Sequence, residues 1–193
     1  MKKLYLIRHG ETEWTLSGQH TGTTDIALTK NGQQQAQLLA DRLQGHDFSA
    51  VFVSPLQRAY KTCEIAGLCE RAVVERDLSE WNYGHYEGKT SKQIHETHPH
   101  WNIFLNGAPG GESVKDIEKR CAKMCHLFQE ASGDVAVFSH GHFLRALALS
   151  CIQLPIAAGR HFTLFPAAVS ILAQEKNVLA ISLWNDISHL MKR

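Results

Sequence analysis

A short apolar run near the start of the chain ends in the stretch Leu6-Ile7-Arg8-His9-Gly10-Glu11-Thr12. A strand that ends in this way brings a guanidinium and an imidazole to the carboxyl edge of a sheet, where open α/β folds bind ligands. A second apolar run, residues 135–138, leads into Ser139-His140-Gly141 and repeats the arrangement. Taken alone, His9 is equally compatible with a buried structural histidine, so its interpretation depends on partners elsewhere in the chain.

Strand-like and helical patterns alternate along the chain, which is typical of an α/β fold. The apolar runs that predict strands are residues 3–7, 50–53, 72–75 and 134–138. Helical spacing follows Thr29 as far as Gly45, begins again at Ser54-Pro55, runs from Ser113 to about residue 129, and covers residues 141–151. Residues 168–173 and 178–184 predict a terminal hairpin that extends the sheet in mixed directions. We expect one domain over residues 1–193, a three-layer sandwich with a mostly parallel central sheet and helices on both faces.

Composition limits the classes of partner. The 193 residues include 20 Lys and Arg against 19 Asp and Glu, so no overall field favours nucleic acid or an anionic membrane. No apolar stretch approaches the length of a membrane span, and no leader precedes the first strand, which predicts a cytoplasmic location. A small molecule is the expected partner, and the oligomeric state stays open, with a homodimer as one option.

The cysteines are odd in number and lack Cys-x-x-Cys spacing, so we expect reduced thiols without a disulfide framework or a zinc site. They are Cys63, Cys69, Cys121, Cys125 and Cys151. Cys121 and Cys125 share a helical stripe with Ile117, Met124 and Phe128, which favours core packing over metal binding.

Two histidines, two arginines and one glutamate follow the predicted strands: His9, His140, Arg8, Arg58 and Glu80. This set is what transfer of a phosphoryl group through histidine needs. A neutral His9 would be the nucleophile, with its other ring nitrogen held by a backbone carbonyl. Arg8 and Arg58 can each bind two phosphate oxygens, and His140 can donate a further hydrogen bond. No metal and no cofactor is required.

Glu80 is the candidate proton donor to the leaving alkoxide, in partly apolar surroundings beside Trp81 and Tyr83. After the first transfer it would act as a base that activates water. Considered alone, Glu80 is also compatible with an exposed surface carboxylate.

The motifs as a set resemble the histidine phosphatase superfamily, also called the phosphoglycerate mutase-like family. They are Leu6 to Thr12, Ser54-Pro55 with Arg58-Ala59, Glu80 with Tyr83-Gly84, and Ser139-His140-Gly141. The resemblance implies a phosphoglycerate mutase-like fold in which His9 is phosphorylated. Arg8, Arg58 and His140 would then form the phosphate pocket, and Glu80 would be the proton donor.

The chain departs from the mutase branch, which has Arg-His directly after the catalytic glutamate where this sequence has Trp81-Asn82. The basic insertion of the mutases is also missing, since residues 89–111 contain only Lys89 and Lys92 as lysines and no arginine. The resemblance is instead to bacterial acid phosphatases and fungal sedoheptulose-1,7-bisphosphatases. It implies hydrolysis of sugar phosphates or bisphosphates. Because Glu80 must be protonated for the leaving step, we expect hydrolysis to be fastest at mildly acidic pH. A cofactor-dependent phosphoglycerate mutase and a non-catalytic phosphate-binding module are the alternatives.

The same resemblance implies weaker assignments around the five residues. Thr21, Gly22 and Gly141 would line the phosphate site, while Tyr83 and Arg145 would contact the distal part of a sugar bisphosphate. Arg145 is equally compatible with a structural cation paired to a carboxylate. Six further residues have open alternatives. Trp14 and Trp81 are substrate surfaces or core, and His142 is a pocket wall or a support for His140. For the cluster His95, His98 and His100, a solvated loop is favoured over a metal site.

Overall fold

The computed structural model describes residues 3–191, so residues 1, 2, 192 and 193 of the predicted domain lie outside the described part. Six strands form its central sheet: β1 (Lys3–Arg8), β2 (Ala50–Val53), β3 (Ala72–Val74), β4 (Val135–Ser139), β5 (Val169–Glu175) and β6 (Val178–Asp186). Their order is β3-β2-β4-β1-β5-β6. The first four are mutually parallel, whereas β5 and β6 form the predicted antiparallel hairpin beside β1. The α/β class and the mostly parallel sheet are confirmed.

Seven α-helices lie within residues 3–191: α1 (Glu13–Ser17), α2 (Lys30–Leu43), α3 (Gln57–Ile65), α4 (Ser91–His95), α5 (Ile103–Asn106), α6 (Val114–Glu130) and α7 (Gly141–Cys151). Short 3-10 turns join them at Cys69–Arg71, Arg76–Leu78, Gly84–Tyr86, Ile156–His161 and Ser188–Leu190. None of these helices is long and apolar enough to cross a membrane.

Alternation along the strands divides the core into two layers. Tyr5 and Ile7 of β1 belong to one apolar cluster with Leu39 of α2 and Cys63 of α3. Leu4 and Leu6 belong to the other, together with buried residues of α6 and α7. The three-layer arrangement is therefore confirmed, and each fully buried aliphatic side chain contributes about 2 kcal/mol to it.

Strand register brings the predicted motifs to one edge. Arg8 lies opposite Ser139 in the parallel pair β1 and β4. The His9 N–H donates to the Ser139 carbonyl at 3.0 Å, and the Ser54 N–H donates to the Phe138 carbonyl at 3.0 Å. The ends of β1, β2 and β4 therefore meet, as the carboxyl ends of parallel strands do in open α/β sheets.

Two of the predicted helix starts are confirmed, and one is wrong by two residues. Thr29 caps α2 through the Gly32 N–H, and Ser113 caps α6 in a capping box with Asp116. The start predicted at Ser54-Pro55 moves to Gln57. The Ser54 hydroxyl lies 2.7 Å from Nε2 of His140 and also accepts the Leu56 N–H at 3.3 Å, so it forms a local turn ahead of the helix.

The prediction that all five cysteines are reduced is wrong for two of them. Cys125 of α6 and Cys151 of α7 form a disulfide, with Cα atoms 5.5 Å apart. Their separation of 26 residues carries no local signal, since only the packing of α6 against α7 brings them together. Cys63, Cys69 and Cys121 are free thiols, and Cys121 lies in the core as expected.

Candidate active site

His9 lies directly after β1 and is 4% exposed. Its Nδ1 lies 2.7 Å from the carbonyl oxygen of Gly10. Because a carbonyl can only accept, Nδ1 carries the ring proton and Nε2 keeps its lone pair. Burial, followed by the charges of Arg58 and Arg8, holds the pKa of His9 well below its usual value. The geometry thus supplies a neutral imidazole with one nucleophilic nitrogen, and the expected carbonyl partner is present.

Arg58 is fully buried in the first turn of α3. Its Nε donates to Nδ1 of His140 at 3.2 Å, and its Nη1 donates to the Thr24 carbonyl at 3.0 Å. Its Nη2 donates to the carbonyls of Thr21 at 3.1 Å and Gly22 at 2.9 Å. Four of the five guanidinium N–H groups are therefore held by protein, and the second N–H of Nη1 is left for a ligand.

His140 links Arg58 to the end of β2. Since its Nδ1 accepts from Arg58, its Nε2 carries the proton and donates to the Ser54 hydroxyl at 2.7 Å. The ring centroids of His140 and His9 are 5.2 Å apart. Burial, with the charges of Arg58 and His9 next, holds the pKa of His140 well below its usual value. The proton that we expected to face phosphate is thus donated to Ser54 in this structure.

Arg8 occupies the end of β1, where its Nη1 donates to the Leu164 carbonyl. Its Nε is buried and has no hydrogen-bond partner within residues 3–191. A Cβ at Gly141 would lie 3.2 Å from Nε and Cζ of Arg8, so the glycine leaves room for the guanidinium. Burial lowers the pKa of Arg8 to about 10, partly opposed by the charge of Glu80.

Glu80 is 7% exposed, and its carboxyl group accepts three backbone N–H groups. Oε1 accepts from Trp81 at 2.9 Å and from Phe143 at 2.8 Å, while Oε2 accepts from His142 at 3.0 Å. Two of these donors belong to the first turn of α7, where free N–H groups attract negative charge. Glu80 is thus buried next to the buried aromatic residues Trp81 and Tyr83, and polar backbone groups, which the sequence did not predict, also surround its carboxyl group.

His142 forms part of an aromatic wall rather than a support for His140. Its Nδ1 lies 2.5 Å from Tyr83 Oη and 4.0 Å from Oε2 of Glu80. The ring of His20 stacks on Tyr83 with centroids 4.8 Å apart, and Phe104 lies 5.4 Å from His142. Burial lowers the pKa of His20 to about 4 and holds that of His142 well below its usual value.

Thr21 and Gly22 contact Arg58 through their carbonyls, as given above. The Gly22 N–H, which a phosphate loop would direct at its ligand, donates instead to Glu87 at 2.8 Å. The structure therefore places this loop behind Arg58 as a support.

Arg145 is held by backbone carbonyls and has no carboxylate partner within residues 3–191. Its Nε donates to Gly141 at 3.2 Å, and its Nη1 donates to Gly159 at 3.3 Å and Phe162 at 2.6 Å. Its guanidinium lies 4.7 Å from the centroid of the Phe104 ring. Its Nη2 forms no hydrogen bond in the described part of the chain. The alternative of a structural cation paired to a carboxylate is therefore wrong in its partner, because backbone carbonyls hold this guanidinium. The predicted contact with the distal part of a substrate stays a prediction.

The structure also places the two tryptophans and the histidine cluster for which the sequence left alternatives. Trp81 is 0% exposed and donates from Nε1 to the Glu112 carbonyl at 2.9 Å, so it is core. Trp14 lies against Gly88. The side chains of the histidine cluster are exposed: His95, His98 and His100. Within residues 3–191, no group of three His, Cys, Asp or Glu side chains is placed to hold a metal.

Sequence reasoning missed three residues that build the site. Ser54 accepts from His140, Thr62 accepts the Gly10 N–H at 3.0 Å, and Glu87 holds the loop behind Arg58. Ser54 follows a predicted strand and could have been found from that position. Thr62 and Glu87 lie away from strand ends, and the sequence contains no signal for them.

Comparison with known proteins agrees with this arrangement. A sequence model of the histidine phosphatase superfamily (branch 1) matches residues 4–187. An acid phosphatase of Mycobacterium tuberculosis is 40% identical over 192 residues, covering 97% of this chain and 94% of its own. Sedoheptulose 1,7-bisphosphatase of Saccharomyces cerevisiae is 33% identical over 175 residues, covering 74% and 65%. A probable phosphoglycerate mutase, GpmB of Escherichia coli, is 31% identical over 206 residues, covering 98% and 95%.

Two solved structures share the fold. The product of the open reading frame Rv3214 of Mycobacterium tuberculosis has a TM-score of 0.91 at 38% identity, covering 95% of this chain and 97% of its own. Phosphoserine phosphatase of Entamoeba histolytica, in complex with 3-phosphoglyceric acid, has a TM-score of 0.86 at 30% identity, covering 99% and 100%. Since the sequence match runs from the first strand to the last and the folds agree over nearly their whole lengths, the chain belongs to branch 1 of the histidine phosphatase superfamily.

Proposed function

We propose that this chain is a phosphomonoesterase that hydrolyses small phosphorylated metabolites, preferably sugar phosphates or bisphosphates, through a phosphohistidine at His9. The observation that carries the proposal is the Nδ1 hydrogen bond to the Gly10 carbonyl, which leaves Nε2 of a buried neutral imidazole as the nucleophile. The charge of Arg58 lowers the pKa of this ring, and the same charge can stabilise the transferring group.

The reaction has two steps. The Nε2 lone pair of His9 forms the N–P bond while the P–O bond to the leaving group breaks, and Glu80 gives the leaving alkoxide its proton. Water then attacks phosphorus, Glu80 takes the proton of that water, and the N–P electron pair returns to Nε2. Arg8 and Arg58 bind the phosphoryl oxygens in both steps. His140 joins them when its Nε2 proton, donated to Ser54 in this structure, turns to the phosphoryl group. The assignment of these roles is part of the proposal.

The proposed preference for sugar phosphates is supported by the outer part of the site. The rings of Tyr83 and His142 pack edge to face beside the site, at 80° to each other. Arg145 has no hydrogen bond from Nη2 within residues 3–191 and offers it to a distal anionic group. The yeast sedoheptulose bisphosphatase among the relatives supports the same class.

A phosphoglycerate mutase is the rival enzyme, and the relative named as a probable mutase favours it. Against it, Trp81 and Asn82 are both uncharged, so neither supplies a cation for a substrate carboxylate. Trp81 is buried core, and the Asn82 backbone N–H donates to the Glu112 carboxylate at 2.8 Å. A module that only binds phosphate is the third possibility, and the presence of all five proposed residues weighs against it.

The test is turnover of a chromogenic aryl phosphate in excess chelator, followed by a panel of sugar mono- and bisphosphates, sugar-acid phosphates and nucleotides. We expect hydrolysis by the wild type and none by His9→Ala. Full activity of His9→Ala, or phosphate binding without turnover, would refute the proposal. Isomerisation of 3-phosphoglycerate stimulated by the 2,3-bisphosphate would favour the mutase.

A cytoplasmic location also stays a proposal, as does the lack of nucleic acid and membrane partners. The near balance of charge supports the lack of nucleic acid and membrane partners. The Cys125–Cys151 disulfide stands against a cytoplasmic location, because reducing compartments keep thiols free. Thiol labelling of the protein trapped from intact cells decides the point, since a labelled Cys125 supports the cytoplasm and a protected one contradicts it.

A further inference from the structure

Glu87 is a half-buried carboxylate that no step of the proposed reaction uses. It follows the 3-10 turn Gly84–Tyr86, beside the irregular loop of residues 21–24. Its Oε1 accepts the N–H groups of Gly22 at 2.8 Å and Thr24 at 3.1 Å. Its Oε2 is buried and has no hydrogen-bond partner within residues 3–191.

The opposite side of the same loop holds the guanidinium of Arg58. The carbonyls of Thr21, Gly22 and Thr24 accept three of its N–H groups at 2.9 to 3.1 Å. Gly22 and Thr24 therefore present their N–H groups to Glu87 and their carbonyls to Arg58. Oε1 of Glu87 is thus connected, through Gly22 and Thr24, to the guanidinium of Arg58.

The loop has little else to fix this part of its backbone. Residues 21–24 belong to no helix or strand, and within the described part of the chain the N–H groups of Gly22 and Thr24 have only Glu87 as acceptor. Gly22 is also tightly enclosed, since a Cβ there would lie 2.5 Å from the Trp81 carbonyl oxygen and 2.6 Å from Glu87 Oε2. Loss of the Glu87 carboxyl would free the loop and, with it, the three carbonyls.

We propose that Glu87 is a positioning residue that sets the orientation of Arg58 for phosphate by fixing the carbonyls of residues 21–24. This inference rests on the proposed function, in which Arg58 binds the phosphoryl oxygens. The charge of Glu87 acts in the same direction, because it opposes the lowering of the Arg58 pKa by burial.

The experiment compares Glu87→Ala and Glu87→Gln with Glu96→Ala, an exposed glutamate that serves as the control. The probe is inorganic phosphate, measured as a competitive inhibitor and by calorimetry. Hydrogen bonds to charged groups predict that Glu87→Ala raises Ki about tenfold, with a smaller change in kcat. Glu87→Gln keeps an oxygen for the two N–H groups and is expected to stay within about threefold of the wild type. An unchanged Ki in Glu87→Ala, or equal losses in the two variants, would overturn the proposal.

A double-mutant cycle with Arg58→Lys separates positioning from a general loss of structure. If Glu87 acts through Arg58, Glu87→Ala adds less than about threefold to Ki once Arg58 is lysine. A full additional tenfold loss would contradict the proposal. Calorimetry measures phosphate binding without turnover. If the wild type binds phosphate but hydrolyses no ester, the proposed function is refuted, and calorimetry of the Glu87 variants still tests the role of Glu87.

Discussion

Replacing Arg58 by lysine tests the centre of the site, because the two side chains share their charge and differ in geometry. The guanidinium donates hydrogen bonds to His140 from Nε and to three loop carbonyls from Nη1 and Nη2. An ammonium group has three N–H groups on one atom, so it cannot reach both His140 and the loop. At least one hydrogen bond to a charged group is lost, which costs about 1.5–3 kcal/mol. We expect a similar loss of unfolding free energy and a rise in the phosphate Ki of about 10- to 100-fold.

The assay for Arg58→Lys is urea unfolding together with inhibition of aryl phosphate hydrolysis by inorganic phosphate. The matched control is Arg71→Lys, since Arg71 is half exposed and lies 3.8 Å from a fully exposed Asp47. Exposed pairs of this kind contribute about 0.5 kcal/mol or less, so the control should leave both measurements nearly unchanged. The reasoning would be refuted if Arg58→Lys kept its phosphate Ki within about threefold of the wild type, or if both variants lost the same amount.

Three further predictions follow from the same geometry. Glu80→Gln should lower kcat about 10²- to 10⁴-fold on alkyl phosphates. The loss should be smaller on aryl phosphates, because their leaving groups need no proton. An equal loss on both classes of substrate would contradict the role of Glu80 as an acid. The pKa of His20 falls to about 4 on burial, so the folded state binds fewer protons than the unfolded state between pH 6.5 and 4. This group should therefore lower the unfolding free energy by about 1.4 kcal/mol per pH unit as pH drops through that window. Urea titration at several pH values measures this dependence. An equal dependence of the unfolding free energy on pH in His20→Gln and the wild type would contradict the prediction. Gly141→Ala should weaken phosphate binding, because the added methyl group crowds Arg8. Helix stability should not fall, since alanine favours helices over glycine by about 1 kcal/mol. An unchanged phosphate Ki would contradict the prediction and show that Arg8 has room to move.

The sheet and its helices were predictable because apolar periodicity and caps are local signals. Thr29 and Ser113 marked helix starts that the structure confirms. Ser54 misled the same reasoning, since a serine before proline has the form of a helix cap while its hydroxyl binds His140. Competition between a local cap and a long-range partner is not visible in one sequence.

The identities of the site residues were readable at strand ends, whereas their contacts were not. Glu80 was expected in partly apolar surroundings, and its carboxyl group also accepts N–H groups from a helix that begins more than 60 residues later. For Arg145, pairing with a carboxylate was one of two alternatives, and carbonyls hold it instead. The Cys125–Cys151 bond likewise depends on packing between two helices. Each of these contacts depends on how helices and loops pack against one another, and residue spacing alone does not predict it.

The central claim is that His9 carries the phosphoryl group between substrate and water. The most direct measurement is rapid mixing with an aryl phosphate, quenching in alkali to preserve phosphohistidine, and mass spectrometry of the peptides. The account predicts one phosphoryl group on His9 in the wild type, a higher yield in Glu80→Gln because water attack is slowed, and none in His9→Ala. A phosphoryl group on another residue, or turnover with no phosphorylated His9 at any mixing time, would contradict it.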